Sequence, residues 1–307
     1  MKDKMICVVG PTASGKTSLA VEIAKKYSGE VVSADSMQIY KGMHIASAAP
    51  DEAEKQGVMH HLIEFLSPDV TFTVSDYVKA AKEKISDITA RGKLPVIAGG
   101  TGLYIDSLVN NIEFCESDTD LNLREKLNRQ YDEIGGEAML GLMESFDPDT
   151  AATLHPNNRR RIIRAFELFE GAGITKTKQN ELSRLNESPY ESIMIGINYR
   201  DREKLYERIN LRVDKMLESG LLDEAKRFYS KKHTGGAVQA IGHKELFPYL
   251  EGEISLEEAA ENLKRATRRY AKRQITWFGR NPDITFIYPD ETPDVLAQAI
   301  KILERKI

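Results

Sequence analysis

Apolar residues fall into two patterns along this chain. Short, largely unbroken runs have the length and continuity of strands buried on both faces: Met5-Ile6-Cys7-Val8-Val9, Glu30-Val31-Val32-Ser33, Leu94-Pro95-Val96-Ile97-Ala98 and Ser192-Ile193-Met194-Ile195-Gly196-Ile197-Asn198. Between them the apolar positions recur at helical spacing. Leu19 and Ile23 open one helix. Tyr77, Ala81, Ile85 and Ile88 share one face of a second over 75–91, which Gly92 stops, and Leu103, Tyr104, Ile105 and Leu108 open a third. The run His61–Leu66 reads as a further strand, and Ile284–Ile287 as a last one before a closing helix over 293–305. Repeated strand–helix alternation predicts an α/β fold, a parallel sheet with helices on both faces. Residues 113–190 interrupt it: they lack strand patterns and carry helical ones at 121–134, 136–146 and 157–171. The expected organisation is an inserted helical domain, 113–190, in a core made of 1–112 and 191–307, with long helices over 201–230 and 255–278.

Composition narrows the picture mainly by exclusion. A chain of 307 residues can bury a large core, and a net charge of −4 makes no overall demand for a polyanionic partner. Any nucleic-acid contact must come from local basic patches. The two cysteines, Cys7 and Cys115, form no CxxC pair, which argues against zinc and disulfide frameworks. No apolar run approaches the roughly 18 residues that span a bilayer. The first strand begins within five residues and leaves no room for a signal peptide, so a cytoplasmic location is expected.

The sharpest chemical signal follows the first strand. Gly10, Pro11, Thr12, Ala13, Ser14, Gly15, Lys16 and Thr17 satisfy the phosphate-loop pattern G-x-x-x-x-G-K-[ST], between a strand and a helix as that motif requires. Backbone N–H groups, the helix dipole and the Lys16 ammonium together form an anion cradle, and the Thr17 hydroxyl is placed to bind a magnesium ion. A di- or triphosphate is therefore the expected ligand, and the fold class becomes a P-loop NTPase-like α/β sheet with a helical insert.

Other strand ends carry polar groups. Asp35, after the second strand, faces the same crevice and has the chemistry of a general base, or of a helix cap or a group near magnesium. Thr101, in Gly99-Gly100-Thr101-Gly102, is placed to meet a phosphate oxygen or to cap a helix. Arg265, Arg268, Arg269, Lys272 and Arg273 recur at i, i+3, i+4, i+7 and i+8, one cationic stripe that either meets a polyanion or is neutralised by neighbours. Arg159, Arg160, Arg161 and Arg164 make a second cluster in the insert. A phosphate loop with an acid and a helical lid also describes a small-molecule kinase. The two basic clusters favour an RNA-modifying transferase whose donor is a diphosphate ester.

The strings GPTASGKT (10–17), SADSMQIYKGM (33–43), GGTGLYI (99–105), HPNNRRRIIRAFE (155–167), AIGHKEL (240–246) and AKRQITWF (271–278) resemble, in content and order, those of bacterial tRNA dimethylallyltransferases. The resemblance implies dimethylallyl diphosphate on residues 12–17 with Mg2+, and a tRNA acceptor, the exocyclic amine of the adenine 3′ of the anticodon. It implies Asp35 as the group that takes the amine proton, and Thr101 and Arg212 (in NLRVDKML) beside Lys16 and Thr17 as stabilisers of the departing diphosphate. It also implies tRNA contacts at Asp35, Ser36, Met37, Gln38, Thr101 and Arg124, at Arg159, Arg160, Arg161, Ile162 and Ile163, at Ala240, Ile241, Gly242, His243, Lys244 and Glu245, and along the 265–273 stripe. A monomer without membrane attachment is expected. Nucleotide binding in the family's description follows from the loop; the chemistry needs no nucleoside triphosphate. The chain departs from the family pattern at Ala46, Ala49, Asn158 and His243, where glycine, lysine, aspartate and tyrosine are usual.

Overall fold

In the computed structural model, residues 2–114, 120–183 and 186–306 are described; Cys115 lies outside them. The chain divides into one unit of Met1–Val109 with Pro189–Ile307 and a second of Asn110–Ser188.

The first unit is an α/β layer structure. Its strands are β1 (Asp3–Val9), β2 (Glu30–Ser33), β3 (His60–His61), β4 (Pro95–Gly99), β5 (Tyr190–Ile197) and β6 (Thr285–Ile287). They form one parallel sheet in the order β3-β2-β4-β1-β5-β6. The central β1 pairs with β4 (Ile6 opposite Val96) and β5 (Ile6 opposite Ile193). Burial on both faces explains its unbroken apolar sequence. Leu19, Ala20, Ile23 and Ala24 of the helix Lys16–Lys26 pack on Ile6, Val8, Val96 and Ile195, and Ala299 and Leu303 of the last helix, Val295–Leu303, complete that layer. Tyr77 of Val74–Ala90 and Tyr104 of Gly102–Val109 stack at 4.0 Å. Among the described residues no helix is long and apolar enough to cross a membrane.

Two expectations need correction. The strand foreseen at 61–66 is only His60–His61, because Leu62 (φ 60°) and Glu64 (φ 47°) take left-handed backbone. The chain folds back there, and the N–H groups of Glu64 and Phe65 donate to the carbonyls of Gln38 (2.7 Å) and Ile39 (3.0 Å). The helix foreseen over 201–230 is two, Arg202–Glu218 and Leu221–Ser230, divided at Gly220 with φ 96°. Glycine alone takes that conformation without steric cost.

The second unit is helical: Leu121–Met143, Pro148–Thr153, Arg159–Ala172 and Lys176–Leu182. Gly135, at φ 78° and ψ 166°, breaks the first of these where the two sequence patterns met. Leu127, Met139, Met143, Ile162, Ile163 and Phe166 form a core of their own. The buried Asp147 accepts hydrogen bonds from the Thr150 and Thr177 N–H groups (3.2 and 3.1 Å) and the Thr177 hydroxyl (2.6 Å), tying two helix starts together.

Candidate active site

The phosphate loop leaves β1 through left-handed Ala13 (φ 62°) and reaches the helix at Gly15 (φ 96°), which caps it without a side-chain hydrogen bond. The N–H groups of that first turn are consequently left to a ligand. The Lys16 ammonium donates to the Pro11 carbonyl at 3.2 Å, and Arg208 closes the loop from outside by donating to the Ala13 carbonyl at 3.0 Å. The buried Ser14 hydroxyl has no partner among the described residues.

This loop lines a cavity of about 270 Å³ at the carboxyl ends of the strands. Thr12, Lys16, Thr17, Asp35, Ser36, Met37 and Gln38 border it, together with Arg212, Ile241, Lys244 and Arg273. Asp35 Oδ1 accepts from the Met37 N–H (2.9 Å) and the Gln38 N–H (3.4 Å); Oδ2 takes no hydrogen bond from the described residues. One oxygen therefore shapes the turn and the other is unengaged among the described residues. The Thr101 hydroxyl accepts from the Ser36 N–H at 3.0 Å and so locks the Asp35–Ser36 turn to the end of β4. Gly99 lies so close to Ala34 that a side chain would overlap the neighbouring backbone.

Lys16, Arg212 and Asp35 form one electrostatic group. Burial first, and then the Arg212 charge, push the Lys16 ammonium down to about 8, while Asp35 pulls it back up. Burial lowers Arg212 in the same way, against the pull of Glu54 and Asp35. Two partly desolvated cations beside the N–H groups of the first helical turn favour an anion. Ala46, Val213, Met216, Ile241 and Leu263 add an apolar wall that is continuous with a buried cluster.

That wall contains one of the departures, Ala46, and Glu224 ties it to a second, His243. Glu224, 4% exposed, accepts from the N–H groups of Ile45 (2.8 Å) and Ala46 (2.9 Å) and lies 2.9 Å from His243 Nε2. Burial raises the Glu224 carboxyl, but these partners outweigh it and hold it below the usual carboxylate range. His243 and Ala240, at 0% and 1% exposure, are packing residues. Gly242 sits against Ala46, and Glu245 accepts the Gly242 N–H at 2.9 Å.

The stripe lies on the helix Leu256–Phe278. Arg265, Arg269, Lys272 and Arg273 are exposed, and Arg268 donates to Asn210 at 2.6 Å. Among the described residues none of the five has a carboxylate within 4.0 Å, in contrast to Lys264, which pairs with Asp214 at 2.8 Å. In the second unit Arg124 pairs with Glu167, and Arg159 with Asp132 and Asn128. Ile162 and Ile163 are buried in the helical core. Arg160 and Arg161 have no carboxylate partner among the described residues. Arg124, Arg159 and Arg160 line a cavity of about 390 Å³ within that unit. Asn158 accepts the His155 N–H at 3.1 Å.

Sequence reasoning missed Tyr270 and Gln274, which also line the cavity beside the phosphate loop. The available signal was phase: Gln274 falls on the same stripe as the buried Ala271 and Phe278, where an apolar residue is the rule.

Comparison with known proteins decides the family. The model of the IPP transferase family matches residues 38–281. The chain belongs to the IPP transferase family. It is 46% identical over 296 residues to a tRNA dimethylallyltransferase of Thermoanaerobacter sp. (strain X514), covering 95% of this chain and 93% of that one. With a tRNA dimethylallyltransferase of Bacillus subtilis (strain 168) it shares 45% over 295 residues, 96% and 93% of the two chains. Among solved structures, the full-length tRNA isopentenylpyrophosphate transferase of Bacillus halodurans is similar with a TM-score of 0.72 and 40% identity over 99% of this chain and 98% of that one. A eukaryotic dimethylallyltransferase acting on tRNA is similar with a TM-score of 0.81 and 30% identity, over 98% and 78%. The family match begins after the phosphate loop, so the loop reading stands on its own motif and geometry.

Proposed function

We propose that this IPP transferase moves the dimethylallyl group of dimethylallyl diphosphate onto N6 of the adenosine 3′-adjacent to the anticodon of tRNA, giving N6-dimethylallyladenosine and diphosphate. The observation that carries this reading is the single cavity in which an N–H cradle, Lys16 and Arg212 meet an aspartate and an apolar wall. The diphosphate sits on residues 12–17, and the five-carbon chain lies against the apolar side chains of Ala46, Val213, Met216, Ile241 and Leu263. The adenine leaves its stack to enter the cavity, at an unstacking cost of a few kcal/mol that is smallest in a loop. The N6 lone pair forms the new bond to the allylic carbon as the C–O bond breaks and its electron pair leaves with the diphosphate. Asp35 Oδ2 takes the N6 proton. Lys16 and Arg212 stabilise the charge that builds on the leaving oxygen, in a site already organised for it.

Magnesium fits the donors present: the Thr17 hydroxyl lines the cavity with Asp35, and hard oxygen ligands completed by water and phosphate oxygens suit that ion. When bound it would supply charge neutralisation on the diphosphate. The RNA contacts assigned to unpaired cations are Arg265, Arg269, Lys272 and Arg273 in one unit and Arg160 and Arg161 in the other, on an anticodon stem-loop. The proposed working form is a monomer in the cytoplasm.

The test is to incubate the purified protein with an anticodon stem-loop RNA and either labelled dimethylallyl diphosphate or ATP labelled in its terminal phosphate, followed by mass spectrometry of the nucleosides. The expected outcome is N6-dimethylallyladenosine with one diphosphate released per transfer. Movement of a terminal phosphoryl group, with no isoprenoid on the RNA, would overturn the proposal.

A further inference from the structure

Gln274 is 4% exposed, yet both polar atoms of its amide are engaged: Oε1 accepts from the Thr12 N–H at 2.8 Å, and Nε2 donates to the Gly100 carbonyl at 2.9 Å. Thr12 belongs to the loop after β1 and Gly100 to the loop after β4. A planar carboxamide offers one acceptor and one donor set in a fixed relation, so a single side chain sets the spacing of both loops. Gly100 has no room for a side chain because the Gln274 amide lies against it. Tyr270, one turn earlier on the same helix, lines the cavity beside it.

The Thr12 bond has a consequence for the anion cradle. It fixes the peptide plane at the start of the turn in which Ser14 N–H reaches the Pro11 carbonyl (3.3 Å) and Ala13 turns left-handed. The N–H groups from there to the helix start follow from that first plane.

We propose that Gln274 is a positioning residue for the diphosphate: it clamps the phosphate loop to the Gly99–Gly102 loop and so sets the directions of the N–H groups that receive the leaving group. The inference rests on the prenyl-transfer reading for the identity of the ligand. It also implies that the helix carrying the basic stripe sets the geometry of the diphosphate site through Gln274.

The experiment uses the full-length chain and the variants Q274L and Q274E. It measures the dissociation constant of inorganic pyrophosphate with magnesium by calorimetry, KM for dimethylallyl diphosphate and for stem-loop RNA, and the melting temperature. Leu fills the space without either hydrogen bond. Q274L is expected to weaken pyrophosphate binding and raise the diphosphate KM by about tenfold or more, with the RNA KM within about twofold of wild type. Glu keeps the acceptor for Thr12 but turns an anion toward the Gly100 carbonyl. Q274E is expected to show the same loss at pH 8 and, taken as a ratio to wild type at each pH, to recover as the pH falls and the buried carboxyl gains a proton able to donate. Should Q274L fail to fold, the Q274E pH profile carries the test alone. Pyrophosphate binding equal to wild type in Q274L, equal loss of diphosphate and RNA affinity with a lowered melting temperature, or a Q274E ratio that does not move with pH would each overturn the role of Gln274. A wild-type protein that binds no pyrophosphate would instead overturn the reading of the pocket itself.

Discussion

At the scale of single residues, the proposed reaction assigns its chemistry to Asp35 and Lys16, and each also has a structural duty. Asp35 Oδ1 holds the Met37 N–H at 2.9 Å, so truncation would disturb the turn as well as the reaction. Asparagine keeps an oxygen for that bond and removes only the basicity. Asp35→Asn is therefore expected to lower kcat by about 10²–10⁴ while pyrophosphate affinity stays at the wild-type value. Rapid-quench transfer assays beside calorimetry separate the two effects, and an unchanged kcat would remove Asp35 as the proton acceptor. Lys16 gives a pH prediction whose sign follows from its depressed value of about 8 in the free protein. A bound dianion favours the ammonium and raises that value. Below about pH 8 the lysine is already charged and affinity is complete; above it, protonation must accompany binding and affinity falls, by at most about tenfold per pH unit. Titrating pyrophosphate binding between pH 7 and 10 tests this: because pyrophosphate itself titrates in that range, the ratio of wild-type to Lys16→Met affinity is the readout, expected to be largest below pH 8 and to shrink as the pH rises.

The helix Leu256–Phe278 does two jobs with two faces. Ala259, Leu263, Ala271 and Phe278 are buried, and among the described residues the cations from Arg265 to Arg273 have no carboxylate within 4.0 Å. Like charges at these spacings destabilise an isolated helix by tenths of a kcal/mol each, and a phosphate backbone removes that penalty. Neutralising Arg265 and Arg269 together with Gln should lower the slope of log affinity against log salt by about 1–2 in stem-loop binding, with little change in melting temperature. Arg159→Gln should do the reverse, because that guanidinium holds Asp132 and Asn128: the protein should melt lower, and the salt slope should move less. An unaltered slope in the first variant would return the stripe to a solvated face. Much of this was legible in the chain. The phosphate loop, the inner strands and the stripe announce themselves by spacing that depends on local chemistry alone. What was hidden depends on partners remote in sequence. Whether Arg159 or Arg160 is free is decided by Asp132, far along the chain, and His61–Leu66 looks like a strand until Gln38 and Ile39 capture its N–H groups. Gln274 carried no assignment beyond its place in AKRQITWF, because its partners Thr12 and Gly100 lie more than 170 positions away.

At the scale of the whole molecule, the chain of net charge −4 divides into two units with separate cores, to which the proposed function gives separate tasks. The diphosphate cavity draws all its lining residues from the first unit. The second unit holds Arg160 and Arg161 but nothing of the phosphate loop. Its two ends are pinned to each other, since Asn111 Nδ2 donates to the Glu187 carbonyl at 3.2 Å. A pair of glycines is long enough to replace the segment between those residues, at about 3.8 Å per residue. Removing 112–186 in this way is expected to leave pyrophosphate affinity within about twofold of the intact chain, because sites without shared partners contribute independently. Stem-loop affinity is expected to fall by about tenfold or more at moderate salt, because phosphate contacts are lost, and prenyl transfer should fall with it. Calorimetry and filter binding on the same preparation read the two quantities side by side. Loss of pyrophosphate affinity in a shortened chain that still melts cooperatively would mean that the phosphate loop depends on the inserted helices, and the assignment of separate tasks to the two units would be wrong.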